Sequence, residues 1–232
     1  MTGLGAGALS QRLRRETRST HPLLDATRLA RALVAGQLGV RAWTEGLTRI
    51  APVYDALEGA IARCAEGSQR GPGWALLACF HRPELHRSAP IRADLASLGL
   101  ALDAPSPAAR RYAARILEVE RASPISLIGH AYVRFAADLG RSALAHRAVR
   151  AALALPAHAT LHTLEHPRIA DRGAYLAELA AYFDAIPRAH HDAIVSEARV
   201  AARLERGLVE ELLTDLDGRA APPRVQLDAL RA

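Results

Sequence analysis

Arg14, Arg18, His21 and Asp25 are spaced four, three and four residues apart in LRRETRSTHPLLD. On a helix this spacing gathers two guanidiniums, an imidazole and a carboxylate on one face, because residues three and four apart are neighbours. The histidine can ligate a metal, and the arginines one and two turns back can bind an anion. An iron porphyrin with propionate arms asks for both. A solvated helix face that ends in a histidine has the same spacing. Pro22 follows the histidine directly and predicts a kink or break at His21.

A second polar set lies in HAYVRFAADLGRS, where Arg134, Asp138 and Arg141 again fall at helical neighbour spacing and Asp138 is flanked by Phe135 and Leu139. A carboxylate so placed either orders water and protons in a pocket or pairs with the flanking arginines, and spacing alone favours the ion pair. His158, His162 and His166 repeat at intervals of four between Pro156 and Pro167. They are either three imidazoles on one helical face, suited to zinc or nickel, or part of a solvated loop. His190, His191 and Asp192 are adjacent and read as surface residues. His81 and His86 flank Pro83 in a turn between helices. The chain has no glycine-rich phosphate loop, no G-x-S-x-G elbow and no Glu-x-x-His pair of a di-iron bundle.

These residues must be positioned by helices. Apolar residues recur at helical spacing almost throughout and no alternating β-branched stretch interrupts them, so the 232-residue chain reads as all-α and single-domain. The pattern predicts a loose start over 1–8, a helical domain over 9–217 and a polar tail over 218–232. Within the domain, helices are expected from Ser10 towards His21, over 41–65, near 74–80 and 88–99, and over 107–121. A long helix follows over 124–155, then an irregular stretch over 156–171, and final helices over 172–185 and 188–217. The last helix is expected to turn Ile194, Ala198, Ala201, Leu208 and Leu212 inward.

Composition restricts the partners. Half of the residues are hydrophobic, enough for a substantial core. The net charge of +6 comes from a chain with 30 basic residues, all arginine. They are interleaved with Asp and Glu, without the dense basic run or aromatic platform of a nucleic-acid groove. No apolar run reaches the length of a membrane span. Cys64 and Cys79 form no CxxC motif, and Cys79 reads as a small buried hydrophobe. With no signal peptide in view, the expected compartment is the cytoplasm.

The two polar stripes, in this order on an early and a middle helix, resemble the haem oxygenase family. The similarity extends over LSQRLRRETRSTH, VYDALEGAI, PELHRSAPIRADLASLG, PISLIGHAYVRFAADLG and SEARVAARLERGLVEEL. The resemblance implies haem, both cofactor and substrate, held between the first helix and the long middle helix. His21 matches the proximal iron ligand, Arg14 and Arg18 the basic positions beside the propionates, and Asp25 an acidic position near the histidine. Tyr132 and Arg134 match polar residues on the distal side. Asp138 matches the distal aspartate, which anchors the water network that protonates iron-bound dioxygen.

The implied reaction opens haem to biliverdin, carbon monoxide and ferrous iron, using O2 and electrons from a ferredoxin, flavodoxin or reductase. The family's distal pattern resembles GDLSGG, whereas this chain reads Ala137-Asp138-Leu139-Gly140-Arg141-Ser142. Gly140 and Arg141 therefore border the expected haem site, with Arg141 either facing haem or paired with Asp138. The basic residues expected on the penultimate helix are replaced by GAYLAELAAYF. Three readings follow: an oxygenase, a related protein that binds haem without degrading it or serves as an interaction module, and a non-haem iron oxidase.

Overall fold

The structure, a computed structural model, describes residues 8–17, 39–66, 76–78, 80–102, 104–154 and 160–218. Arg18, His21, Asp25, Cys79 and His158 lie outside the described residues. Helices α1 (Leu9–Thr17), α2 (Val40–Glu66), α3 (Ser88–Ser97) and α4 (Pro107–Ala122) make up the first half. The second half holds α5 (Leu127–Ala131), α6 (Ala137–Ala152), α7 (Arg172–Asp184) and α8 (His191–Gly218). No strand occurs among the described residues.

The apolar spacing accounts for most of this packing. Leu9, Leu13 and Thr17 form the buried i, i+4 edge of α1. Its exposed side is tied down by Ser10, whose backbone N–H donates to Asp184 at 2.8 Å, and by Arg12, which pairs with Asp192 at 2.6 Å. Helix α2 runs through Pro52 and buries Leu47, Val53, Tyr54, Leu57 and Ile61. It packs on α4, where Ser106 caps the N-terminus by accepting from the Ala109 N–H and Pro107 occupies the first turn. A bidentate Arg63–Glu120 pair, at 2.7 and 2.8 Å, joins the two helices. Ile194, Ala198, Ala201, Leu208 and Leu212 of α8 are all buried, as their period predicts.

The long helix expected over 124–155 is not uniform. A 3-10 turn at Pro124–Ser126 leads into α5, a π-helical turn spans Tyr132–Ala136, and α6 resumes at Ala137. A π turn admits one extra residue, a feature that hydrophobic period alone does not disclose. Ahead of it, Gly129 lies against α8. A Cβ at that position would stand 2.6 Å from the Ala198 nitrogen and 2.7 Å from the Ile194 oxygen. The absence of a side chain there lets two backbones approach closely.

The segment after α6 is held by charge. Asp94 of α3 accepts the N–H groups of His162 and Thr163 at 2.8 and 2.9 Å. Buried Arg87 donates to the carbonyls of Glu84 and Glu165. His162 is exposed while His166 is buried, so these two do not share a face open to a metal. Burial, with Arg87 and Arg172 nearby, pushes His166 down to about 4. His191, expected at the surface, is also buried. The turn Arg188–His190 after Pro187 brings its ring nitrogen within 2.8 Å of the Ile186 carbonyl.

Candidate functional site

The π turn places a guanidinium in the core. Arg134 is only 6% exposed and serves groups from three helices. Its Nη1 donates to Glu205 Oε1 of α8 at 2.9 Å, and its Nη2 donates to the Tyr54 hydroxyl of α2 at 3.1 Å. The same Nη2 reaches both carboxylate oxygens of Asp138, one turn on, at 3.1 Å each. Its carbon lies 5.1 Å from the centre of the Tyr54 ring, a cation–π contact. Tyr112 of α4 completes the surroundings, and burial pushes its hydroxyl well above the ordinary phenol range.

Asp138 differs from its partners in exposure. Its side chain is 27% exposed, against 7% for Arg134 and 11% for Glu205. Two residues on, a Cβ built at exposed Gly140 meets nothing within 4 Å. Bonded to a buried guanidinium, the Asp138 carboxylate keeps part of its surface in solvent, where it can hold water. Helix α1 approaches the same stretch of chain. The Tyr132 hydroxyl bonds to Thr17 and senses Arg14, while burial raises its proton affinity. Thr17 lies four residues before His21 in the sequence.

The sequence-predicted residues therefore separate into groups. Arg134 and Asp138 come together as the ion pair that their spacing favours. Arg134 also reaches Tyr54 and Glu205. Tyr132 packs edge-on against Phe183 of α7 at 5.6 Å and meets α1. Arg14 is exposed, and Gly140 leaves space. Helix α6 contains Arg141, whose side chain lies outside the described residues.

Tyr54 and Glu205 are absent from the sequence-based site. Tyr54 is hidden because its ring fits an apolar stripe. Glu205 carries a clearer signal, since it interrupts the inward series Ala198, Ala201, Leu208 and Leu212 at the expected spacing. A carboxylate on that face needs a buried cation. Glu197, one residue before Ala198, follows the same rule: it accepts from His130 Nε2 at 3.0 Å and from Arg115 at 2.7 and 3.0 Å. Burial alone would raise its proton affinity, but these hydrogen bonds prevail and hold it down to about 2.

Comparisons with known proteins agree with this architecture. The heme oxygenase family profile matches residues 7–211. The chain is 25% identical over 210 residues to a heme oxygenase of Guillardia theta, covering 88% of this chain and 86% of that protein. Its fold superposes on heme oxygenase from Leptospira interrogans with a TM-score of 0.81 at 23% identity, covering 88% and 100% of the two chains. Heme oxygenase-2 from Synechocystis sp. PCC 6803, solved in complex with heme and NO, gives a TM-score of 0.81 at 22% identity over 95% and 98%. At those identities the two structures bear on the fold alone. The profile match, which spans nearly the whole helical region, places this chain in the heme oxygenase family.

Proposed function

We propose that this chain is a working heme oxygenase, which binds haem beside Asp138 and cleaves it to biliverdin, carbon monoxide and ferrous iron. The observation that carries this reading is the Asp138 carboxylate, bonded to buried Arg134 and itself partly exposed to solvent. Haem is the substrate, and its iron supplies the oxygen chemistry once bound. O2 and electrons from an external ferredoxin, flavodoxin or reductase complete the stoichiometry.

The chain's own residues divide the remaining work. His21 is the iron ligand in this reading, with Arg14 and Arg18 beside the propionates and Asp25 near the ligand. Asp138 would hold water at its partly exposed carboxylate and supply protons to the oxygen chemistry that haem provides when bound. Arg134 fixes the Asp138 side chain through a single nitrogen, and Tyr132 joins the distal stretch to the end of α1. The donor set suits haem, with polar groups at the rim and buried support behind them. Among the described residues, no group of three or more His, Cys, Asp or Glu is arranged to hold a metal ion. No helix of the described residues is long and apolar enough to cross a membrane.

A second reading rests on the same ion pair. If Arg134 neutralises Asp138 too fully, the chain binds haem without degrading it. Titrating hemin into the purified protein and then adding ascorbate separates the two. A shifted Soret band that decays into biliverdin absorption supports the oxygenase. A stable band supports the binder, and an unshifted band overturns both. His21→Ala should abolish the axial-ligand signature, and an unchanged spectrum would transfer ligation to another histidine.

A further inference from the structure

We propose that the cavity between α3 and the 162–168 segment binds a small organic anion, a carboxylate carried on an apolar body. The site shares no residue with the haem site proposed above and does not depend on that reading. The cavity has a volume of about 520 Å³, within the range of small-molecule sites. Its lining combines apolar Pro83, Ala89, Pro90, Ala93 and Pro167 with the cations Arg87 and Arg168.

Arg87 is the unusual member. It is only 4% exposed, yet its guanidinium donates to backbone carbonyls alone: Nε to Leu85, Nη1 to Thr163 and Glu165, and Nη2 to Glu84. A buried charge is ordinarily matched by an opposite charge. Here neutral carbonyls take that place, while the Glu58 carboxylate accepts from the backbone N–H groups of Arg87 and Ser88. Burial pushes the guanidinium down to about 10; Arg168 and Arg172 add to the fall, and Glu58 and Asp94 offset part of it. It stays charged at neutral pH. Arg168 is exposed and Arg172 half-buried, and neither forms an ion pair among the described residues.

Two acids also line the cavity, and both are engaged. Glu84 accepts from the Tyr175 hydroxyl and lies 3.9 Å from Arg82. Glu165 lies 3.5 Å from His146 and accepts from the Leu161 N–H. Burial keeps His86 of the lining neutral at pH 7. The first turn of α3, at Ala89 and Pro90, adds the positive end of a 10-residue helix. An incoming carboxylate meets exposed Arg168, and the charge of Arg87 acts on it from a buried position that salt screens little. The apolar walls select a ligand with a hydrocarbon body over a bare inorganic ion.

The experiment titrates phenylbutyrate into the hemin-free protein and follows backbone amide shifts by NMR. Saturable shifts confined to 83–93 and 162–168 are expected, with a dissociation constant below about 10 mM. The uncharged probe phenylbutanol should bind at least about tenfold more weakly, because it lacks the charge-assisted hydrogen bond. Arg168→Ala should weaken phenylbutyrate by roughly two- to fivefold, and Arg168→Lys should recover part of the loss. Arg87→Met would strip four carbonyls of their donor and put the fold at risk. Ala89→Phe, at an exposed position, instead fills the cavity and should abolish the shifts without lowering the melting temperature. Equal affinity for acid and alcohol, shifts outside the two segments, no saturation below about 10 mM, or undiminished binding in Ala89→Phe would each overturn the proposal. Because no hemin is present, a failure of the haem reading would leave these results untouched.

Discussion

Two acid clusters join the distal stretch of chain to α8, and they are built for opposite ends. In one, Glu197 uses both oxygens on Arg115 and His130, and its proton affinity is driven far down. In the other, Arg134 is divided among Glu205, Tyr54 and Asp138, and the last of these stays partly exposed. The first cluster covers its carboxylate fully and ties α8 to α4 and α5. The second leaves a carboxylate partly exposed to solvent. Glu197 and Glu205 are both buried acids of α8, so burial does not distinguish structure from chemistry. What distinguishes them is whether an oxygen remains within reach of solvent.

The contrast can be broken most severely at Arg134. Arg134→Met leaves Glu205 buried opposite an apolar side chain, and breaking such a pair costs about 3–5 kcal/mol. Urea unfolding should show that loss together with loss of haem cleavage, and a near-neutral effect would mean the cluster is not ionised. Gly129→Ala comes next. Its methyl group meets backbone atoms of α8 that cannot step aside as a side chain would, and overpacking of this kind costs about 1–3 kcal/mol. A stability loss at pH 7 that moves both clusters is expected, and an unchanged melting temperature would refute the close crossing.

Glu197→Gln sharpens the comparison through pH. The folded Glu197 carboxyl titrates below its ordinary value, so its contribution is complete above about 4.5 and is lost as pH falls towards about 2. Within that window the group contributes a slope of up to about 1.4 kcal/mol per pH unit. Acid unfolding of the Gln variant should lack this part of the slope while haem turnover at pH 7 persists. The smallest effect on stability is expected at the exposed member, where Asp138→Asn should change unfolding by about 1 kcal/mol or less. A large destabilisation there would make Asp138 a second structural acid and erase the distinction between the clusters.

Much of the fold was legible because helices bury one stripe and expose the other. The inward residues of α8, the extent of α2 and the proline-led start of α4 all follow from period and cap residues. The π turn did not, because it depends on where Arg134 finds partners on α2 and α8, which are distant in sequence. His191 and His166 were read as surface or loop residues, since nothing adjacent in sequence announces the Ile186 carbonyl or the cover above His166. Arg134 and Asp138 were found from spacing, and their pairing was expected. Tyr54 and Glu205 were missed for a common reason: each sits in an apolar stripe, and only the opposite helix explains its polar atom.

The central claim is that Asp138 serves chemistry and not architecture. The direct measurement is a single turnover of the hemin-loaded protein with a reductant under O2, with carbon monoxide trapped and counted against haem lost. The parent should release carbon monoxide in proportion to the haem consumed and yield biliverdin. Asp138→Asn should bind hemin with the parent's Soret band yet release far less carbon monoxide. Equal carbon monoxide from the two proteins, or none from the parent, would contradict the account.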